Sequence, residues 1–356
     1  MNAEESFYKG KRVFITGHTG FKGTWLSFWL NRWGAEVTGY ALLPLTKPNV
    51  FSLAGLENHI HSVIGDVRDL SSLRKAFERC QPEIVIHLAA QPIVRESYRD
   101  PVTTYSTNVM GTVHLFECVR NSHSVRSLLN VTTDKVYQNK EWCWGYREAD
   151  RLDGWDPYAN SKSCSELVTH SYQKSFFQDR NIAVSTARAG NVIGGGDFSV
   201  DRIVPDCVRA AMVKKTIRVR NPQSIRPYQH VLEPLYAYLT ICQAQYEQAD
   251  LAGAYNVGPD EADCVQTGML AKMFCEAWGE GQTWGVVNAG GPYEANLLKL
   301  DCARIKQRLG WRPRWNVKQA IEKTVEWFKV YLRREDDIVS CMEQQIHEFL
   351  GNTDMI

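Results

Sequence analysis

Residues 13–23, VFITGHTGFKG, narrow what this chain can fold into more than any other stretch. Val13, Phe14, Ile15 and Thr16 make a short β-branched and aromatic run that predicts a buried strand, and it breaks at once into Gly17, Gly20 and Gly23. Beyond the glycines, Trp25, Leu26, Phe28, Trp29, Leu30 and Trp33 recur at i, i+3 and i+4, the spacing of an apolar helix face. A strand, a glycine-rich turn and a helix N-terminus in that order hold a pyrophosphate. Free backbone N–H groups and the positive helix end face the anion, and missing Cβ atoms let the backbone approach. Thr19, Phe21 and Lys22, set among the glycines, complete the candidate cofactor cradle.

Composition narrows the class further. A chain of 356 residues can bury a large core in one large domain or two unequal ones. A formal charge of +1 gives no reason to expect a nucleic acid or an anionic membrane as partner. The apolar runs are too short and interrupted to span a bilayer, and the opening MNAEESFYKGKR carries acids where a signal peptide needs an apolar core, so a cytoplasmic location is expected. Ten cysteines are scattered from Cys80 to Cys341 without a C-x-x-C pair, which fits reduced, packed thiols. His59 and His61 lack a ligand partner at matching spacing, so no metal is expected.

The chain then alternates strand and helix. Residues 36–42 predict a second strand, after which an acid usually binds the adenosine ribose. No carboxylate lies between Glu36 and Glu57, and the only nearby cation is Lys47; without an arginine to meet a 2′-phosphate, NAD is favoured over NADP. A third strand over 61–67 ends at Asp66 and Val67, where Asp66 can accept from an adenine amino group or cap the next helix. A fourth, over 83–90, ends in Leu88, Ala89 and Ala90, small enough at the carboxyl edge to leave room for a cofactor body. Residues 100–121 predict a helix containing Asn108 and Gly111, and 128–133 a fifth strand. This alternation predicts an α/β chain with a Rossmann-type doubly wound parallel sheet.

Two stretches carry chemistry. One is TTDKVY, residues 132–137, at the end of the fifth strand; the other is DPYANSK, residues 156–162. Pro157 suits a first helical turn, and Tyr158 and Lys162 project from one helix face at i, i+4. An ammonium beside a phenol stabilises the phenolate and makes tyrosine a usable base, with Thr133 placed to share the substrate proton.

With TGHTGFKGTWL, TTDKVY and the Tyr158–Lys162 pair in view, the chain resembles the extended short-chain dehydrogenase/reductases that act on nucleotide sugars, whose glycine spacing is G-x-x-G-x-x-G. Within them it is most similar to the nucleotide-sugar 4,6-dehydratases, in particular their CDP-hexose branch; the dTDP-hexose branch has glutamate where this chain has Lys135. The resemblance implies a Rossmann domain over 1–185, bound NAD, and a smaller C-terminal α/β domain, mainly 186–356 and interleaved with the first, that holds a nucleotide sugar. It further implies that Asn191 of RAGNVIG reaches the sugar nucleotide and that Arg226 of RPYQHVLE contacts the diphosphate. A homodimer or homotetramer is the assembly it implies.

The implied reaction is an internal redox dehydration. Tyr158, with Thr133 and Lys162, removes the 4-OH proton while hydride passes from C4 to NAD; the ketone acidifies C5–H; water leaves from C6; the hydride returns to C6. Asp134 is the candidate acid and Lys135 the candidate base. Neighbours on a strand point apart, so both reach the sugar only if the strand has ended in a turn, and Lys135 must be neutral to act. A 4-epimerase or reductase needs only Thr133, Tyr158 and Lys162, and an NAD-sensing binding protein needs not even those.

Overall fold

The computed structural model describes residues 3–287 and 296–351. Its centre is a seven-stranded, wholly parallel sheet. The first six strands are β1 (Arg12–Thr16), β2 (Glu36–Ala41), β3 (His61–Ile64), β4 (Ile84–His87), β5 (Ser127–Val131) and β6 (Ala183–Ala189). The spatial order runs from the strand Ala254–Val257 through β6, β5, β4, β1 and β2 to β3. The order reverses between β1 and β4, which opens a crevice at their carboxyl ends, the usual ligand position in a doubly wound sheet.

β6 spans residue 185, and the strand Ala254–Val257 returns from the C-terminal half to pair with it, so sequence order and domain membership part company here. The remaining C-terminal segments form two-stranded pairs, Ile217–Val219 with Trp284–Val286 among them, packed with the helices Ile203–Met212, Thr267–Trp278 and Val317–Arg333. One of the apolar clusters runs through both lobes, from Val13 and Trp25 to Trp327 and Phe349.

Three local expectations are revised. The helix Phe21–Arg32 is buried over nearly its whole girth rather than on one face. Its outer side is covered by the helices Leu232–Glu247 and Ile338–Leu350: Trp29 stacks on Tyr236 and meets the edge of Phe349, and Arg32 pairs with Glu343 at 2.6 Å. The predicted helix over 100–121 is Pro101–Tyr105 and Gly111–Arg120 joined by a π-helical turn, Ser106–Met110, that carries Asn108. Such turns recur at functional sites. Here Asn108 Oδ1 accepts from Gln91 N, and its Nδ2 donates to Gln91 O and Ser161 Oγ, tying the loop after β4 to the helix bearing Tyr158. Finally, β3 stops at Ile64, and the cap of the next helix is Asp69, whose carboxylate accepts from Ser72 N, not Asp66. Among the described residues no helix is long and apolar enough to cross a membrane.

Glu233 illustrates how the C-terminal lobe is fastened. Its Oε1 accepts from the backbone N–H groups of Arg314 and Trp315, at 2.9 and 2.6 Å, while Oε2 is buried with no hydrogen-bond partner among the described residues. Burial pushes the carboxyl up from 4.5 to about 7, against the pull of those two N–H groups. A carboxyl whose folded pKa lies above its unfolded one contributes stability that is complete below about 4.5 and is lost as pH rises through about 7. Glu233→Gln should therefore remove a decline in melting temperature across that window, the gap over the parent widening with pH; parallel curves for the two proteins would refute this.

Candidate active site

The cofactor end begins where β1 breaks. Gly17 holds a φ of +82°, and a Cβ there would stand 2.8 Å from Ala89 N; a Cβ on Gly23 would stand 2.0 Å from Gly17 O. Only glycine allows this turn to close against β4 and its own helix. A Cβ on Gly20 would meet nothing nearer than 3.4 Å, so open backbone there serves something outside the chain. Gly20 caps Phe21–Arg32 with no side-chain cap, and the first intrahelical bond is Thr24 N to Gly20 O. The N–H groups of Phe21, Lys22 and Gly23 therefore point free of the helix, as a pyrophosphate requires.

Nearby predicted contacts fare unevenly. Thr19 spends its hydroxyl on Leu42 O, closing the end of β2 rather than facing a ligand. The Asp66 carboxylate accepts from Arg68 through Nε, Nη2 and the backbone N–H, which holds it below its usual range, so the adenine acceptor proposed for it is already engaged. Val67 packs in the core between β3 and the neighbouring helices. The N–H groups of Leu88 and Ala89 turn inward to Thr16 Oγ1, and Ala89 and Ala90 are half-buried at the carboxyl edge, as expected of small residues there.

At the other end of the crevice, β5 ends at Val131 and Thr133 caps a 3₁₀ turn, Asp134–Val136. The turn brings adjacent side chains together: Thr133 Oγ1 donates to Asp134 Oδ1 at 2.9 Å, and Lys135 Nζ donates to the same oxygen at 3.0 Å. Lys135 is 30 % exposed and lines the cavity with Thr132 and Thr133; the Asp134 side chain, 1 % exposed, lies behind that wall, its Oδ2 without a partner among the described residues. The acid and base expected to meet the sugar side by side are thus one in front of the other.

The helix Pro157–Tyr172 is capped by Asp156, whose Oδ1 accepts from Ala159 N, and it presents Tyr158 and Lys162 on one face. Lys162 Nζ donates to Val131 O at 3.0 Å rather than to the phenol. Burial pushes Tyr158 up to about 12, and the Thr133 hydrogen bond and the Arg202 charge pull it back only in part. The lowering comes from Thr133 and Arg202 rather than from Lys162, the residue expected to supply it. Burial also pushes Lys162 down to about 8 and Lys22 to about 7, the latter with repulsion from Lys162 and Arg202.

Arg188 is not a ligand contact; it forms a buried ion pair with Glu166, both under 5 % exposed. Glu166 accepts from Thr132 Oγ1, and Arg188 donates to the Tyr137 hydroxyl, which donates to Asn256 Oδ1. One buried pair therefore clamps both ends of the turn carrying Thr133, Asp134 and Lys135 to the helix carrying Tyr158. Glu166 lies four residues after Lys162, so helical spacing could have singled it out.

Asn191 and Arg226 do converge on the site. Both line one cavity of about 1240 Å³ with Lys22, Lys135 and Tyr158. Asn191 Oδ1 is buried without a partner among the described residues, and Arg226 Nη1 is steadied by Ile225 O. Eight lysines and arginines line the cavity against four aspartates, an excess suited to a doubly charged diphosphate.

Residues 14–324 match the family model described as GDP-mannose 4,6 dehydratase. The CDP-glucose 4,6-dehydratase of Salmonella typhimurium is 44% identical, over 98% of this chain and 99% of that protein. Two solved structures share the fold at lower identity. The dTDP-glucose 4,6-dehydratase of Streptomyces venezuelae, solved with NAD and TYD bound, superposes with a TM-score of 0.77 at 21% identity, over 89% of this chain and 96% of that one. The UDP-glucose 4-epimerase of Thermotoga maritima, solved with UDP-glucose, gives 0.78 at 19%, over 90% and 99%.

Proposed function

Because the chain belongs to the GDP-mannose 4,6-dehydratase family, we propose that it dehydrates CDP-D-glucose to CDP-4-keto-6-deoxy-D-glucose, a step of deoxysugar formation. The observation that carries this reading is Lys135 in the same cavity wall as Tyr158, with Asp134 paired to it from behind, since an epimerase or reductase has no use for a second acid–base pair. The cytidine rests on the 44%-identical relative.

Gly17, Gly20 and Gly23, the N–H groups of Phe21 and Lys22, and the small Ala89–Ala90 edge hold NAD. Leu42 and Leu43, exposed just past β2, offer no charge for a 2′-phosphate. Bound NAD supplies reversible oxidation at C4 and the matching reduction at C6.

The chain's own residues move protons. Tyr158 Oη takes the C4 hydroxyl proton, Thr133 orients that hydroxyl, and the Lys162 ammonium stabilises the phenolate. The 4-ketone makes C5–H acidic. Lys135 reaches the cavity, so its amine is the group that takes the C5 proton, with Asp134 Oδ1 3.0 Å from Nζ to exchange a proton with it. Asp134 is the acid whose proton leaves with the C6 hydroxyl as water, relayed through Thr133 Oγ1 or Lys135 Nζ, the groups that touch it, and a solvent-derived proton restores C5–H.

Substrate deuterated at C4 should give product labelled at C6, with one solvent hydrogen at C5. Product that keeps its C6 hydroxyl would instead mean a 4-epimerase or reductase, and a panel of nucleoside-diphosphate glucoses assigns the base. We further propose a homodimer or homotetramer, built on apolar side chains exposed on adjoining helices, Val102 and Met110 beside Leu167. Ten free thiols accord with work in the reducing cytoplasm.

A further inference from the structure

Asp201 lies between two guanidinium groups supplied by different lobes. Arg95, on the helix Val94–Arg99 that follows β4, approaches its Oδ1 to 3.8 Å; Arg220, one residue past the strand Ile217–Val219, approaches the same oxygen to 3.7 Å. All three line the cavity that holds Tyr158 and Arg226. At those distances neither contact is a hydrogen bond, and one oxygen shared by two forks satisfies neither. Arg95 Nε is buried with no hydrogen-bond partner among the described residues. Asp201 itself holds a φ of +58°, a conformation that L side chains rarely adopt. Its neighbour Arg202 is held by Asp197 at 3.2 Å and acts electrostatically on Tyr158, so the cluster adjoins the reacting end of the cavity.

We propose that Asp201 is a stand-in for the substrate's diphosphate: it keeps Arg95 and Arg220 facing the cavity and yields both to the incoming anion, which makes Arg95 a substrate-binding residue contributed by the Rossmann half. This rests on the nucleotide-sugar reading above. A diphosphate presents several oxygens, enough for a two-pronged bond to each guanidinium where the carboxylate offers one long contact. It also repels Asp201, so the exchange is driven by better hydrogen bonding and by like charge together. Because the arginines come from the two lobes, the same exchange draws both walls onto one ligand.

The test compares CDP with cytidine as probes of the NAD-loaded protein by titration calorimetry, alongside steady-state kinetics with CDP-glucose. Arg95→Gln should weaken CDP and raise KM by about tenfold to a hundredfold, the loss of a hydrogen bond to a charged group. kcat should stay within about twofold and cytidine binding should be unchanged. Arg95→Lys, which keeps the charge but not the fork, should recover part of the loss. Asp201→Asn should tighten CDP several-fold, again without effect on cytidine, and the gain should shrink at high salt. If Arg95→Gln binds CDP like the parent, or if Asp201→Asn weakens CDP and cytidine alike, the cluster is a structural latch and the proposal fails. If the parent binds neither CDP nor any other nucleoside diphosphate, it is the functional reading that falls, and the proposal with it.

Discussion

Lys135→Met should oxidise its substrate and then stop. The side-chain length is roughly kept, so the turn 134–136 and the neighbouring Tyr158 should keep their places, while the only group of the Asp134–Lys135 pair that reaches the cavity loses its amine. Loss of general-base help is typically worth about 10²–10⁴-fold, and here it should fall on the C5 step alone. Quenched reactions should contain the 4-ketone still carrying its C6 hydroxyl, and exchange of C5–H with deuterated solvent should be lost. Lys135→Arg separates two roles. A guanidinium keeps the positive charge that stabilises an enolate but does not give up a proton, so a variant as slow as Lys135→Met makes Lys135 the base. C5 exchange at the parental rate in the Met variant would remove Lys135 from the chemistry altogether.

Tyr158→Phe should fail one step earlier, with no 4-ketone formed and a loss of about 10²–10⁴-fold in kcat. KM should change little, because the ring is retained and Asn191 and Arg226 stand elsewhere in the cavity wall. The pH profile distinguishes a base from a packing residue. Burial pushes the phenol up to about 12, so at neutral pH it is protonated and the active phenolate is the minor form. The parental rate of C4 oxidation should climb as pH rises from the acid side and level near pH 8, where Lys162, pushed down by burial to about 8, loses its ammonium as fast as the phenolate grows. The residual rate of the Phe variant should lack the rising limb. A variant that keeps the parental profile at reduced amplitude would make Tyr158 a structural residue.

Much of this molecule is legible in local spacing, because local spacing is what backbone geometry reads. A β-branched run followed by glycines three apart, with an apolar stripe at helical spacing behind them, favours a strand, a tight turn and a helix start. Tyr158 and Lys162 share a face because a helix repeats every 3.6 residues. The parallel order, the anion cradle, and the convergence of Asn191 and Arg226 with Tyr158 follow from such patterns, the last two with help from family resemblance.

Other features depend on residues far apart in the chain meeting, which spacing does not encode. Asp134 stands behind Lys135 because the strand ends at Val131 and the chain folds into a 3₁₀ turn against the Pro157–Tyr172 helix. Glu166 and Arg188 clamp that turn across 22 residues, and Tyr137 reaches Asn256 across 119. Even a local contact can escape spacing: Asp66 is diverted by Arg68 two residues away, a choice that only the geometry of the loop reveals. Proton affinity is the least local of all. Lys162 and Tyr158 are pushed in opposite directions by the same cause, desolvation, which depends on everything packed around them. The sequence by itself determined which groups are present and which helix or strand carries them; only the tertiary structure decided which are dry, which are already bonded, and which of two neighbouring side chains faces the sugar.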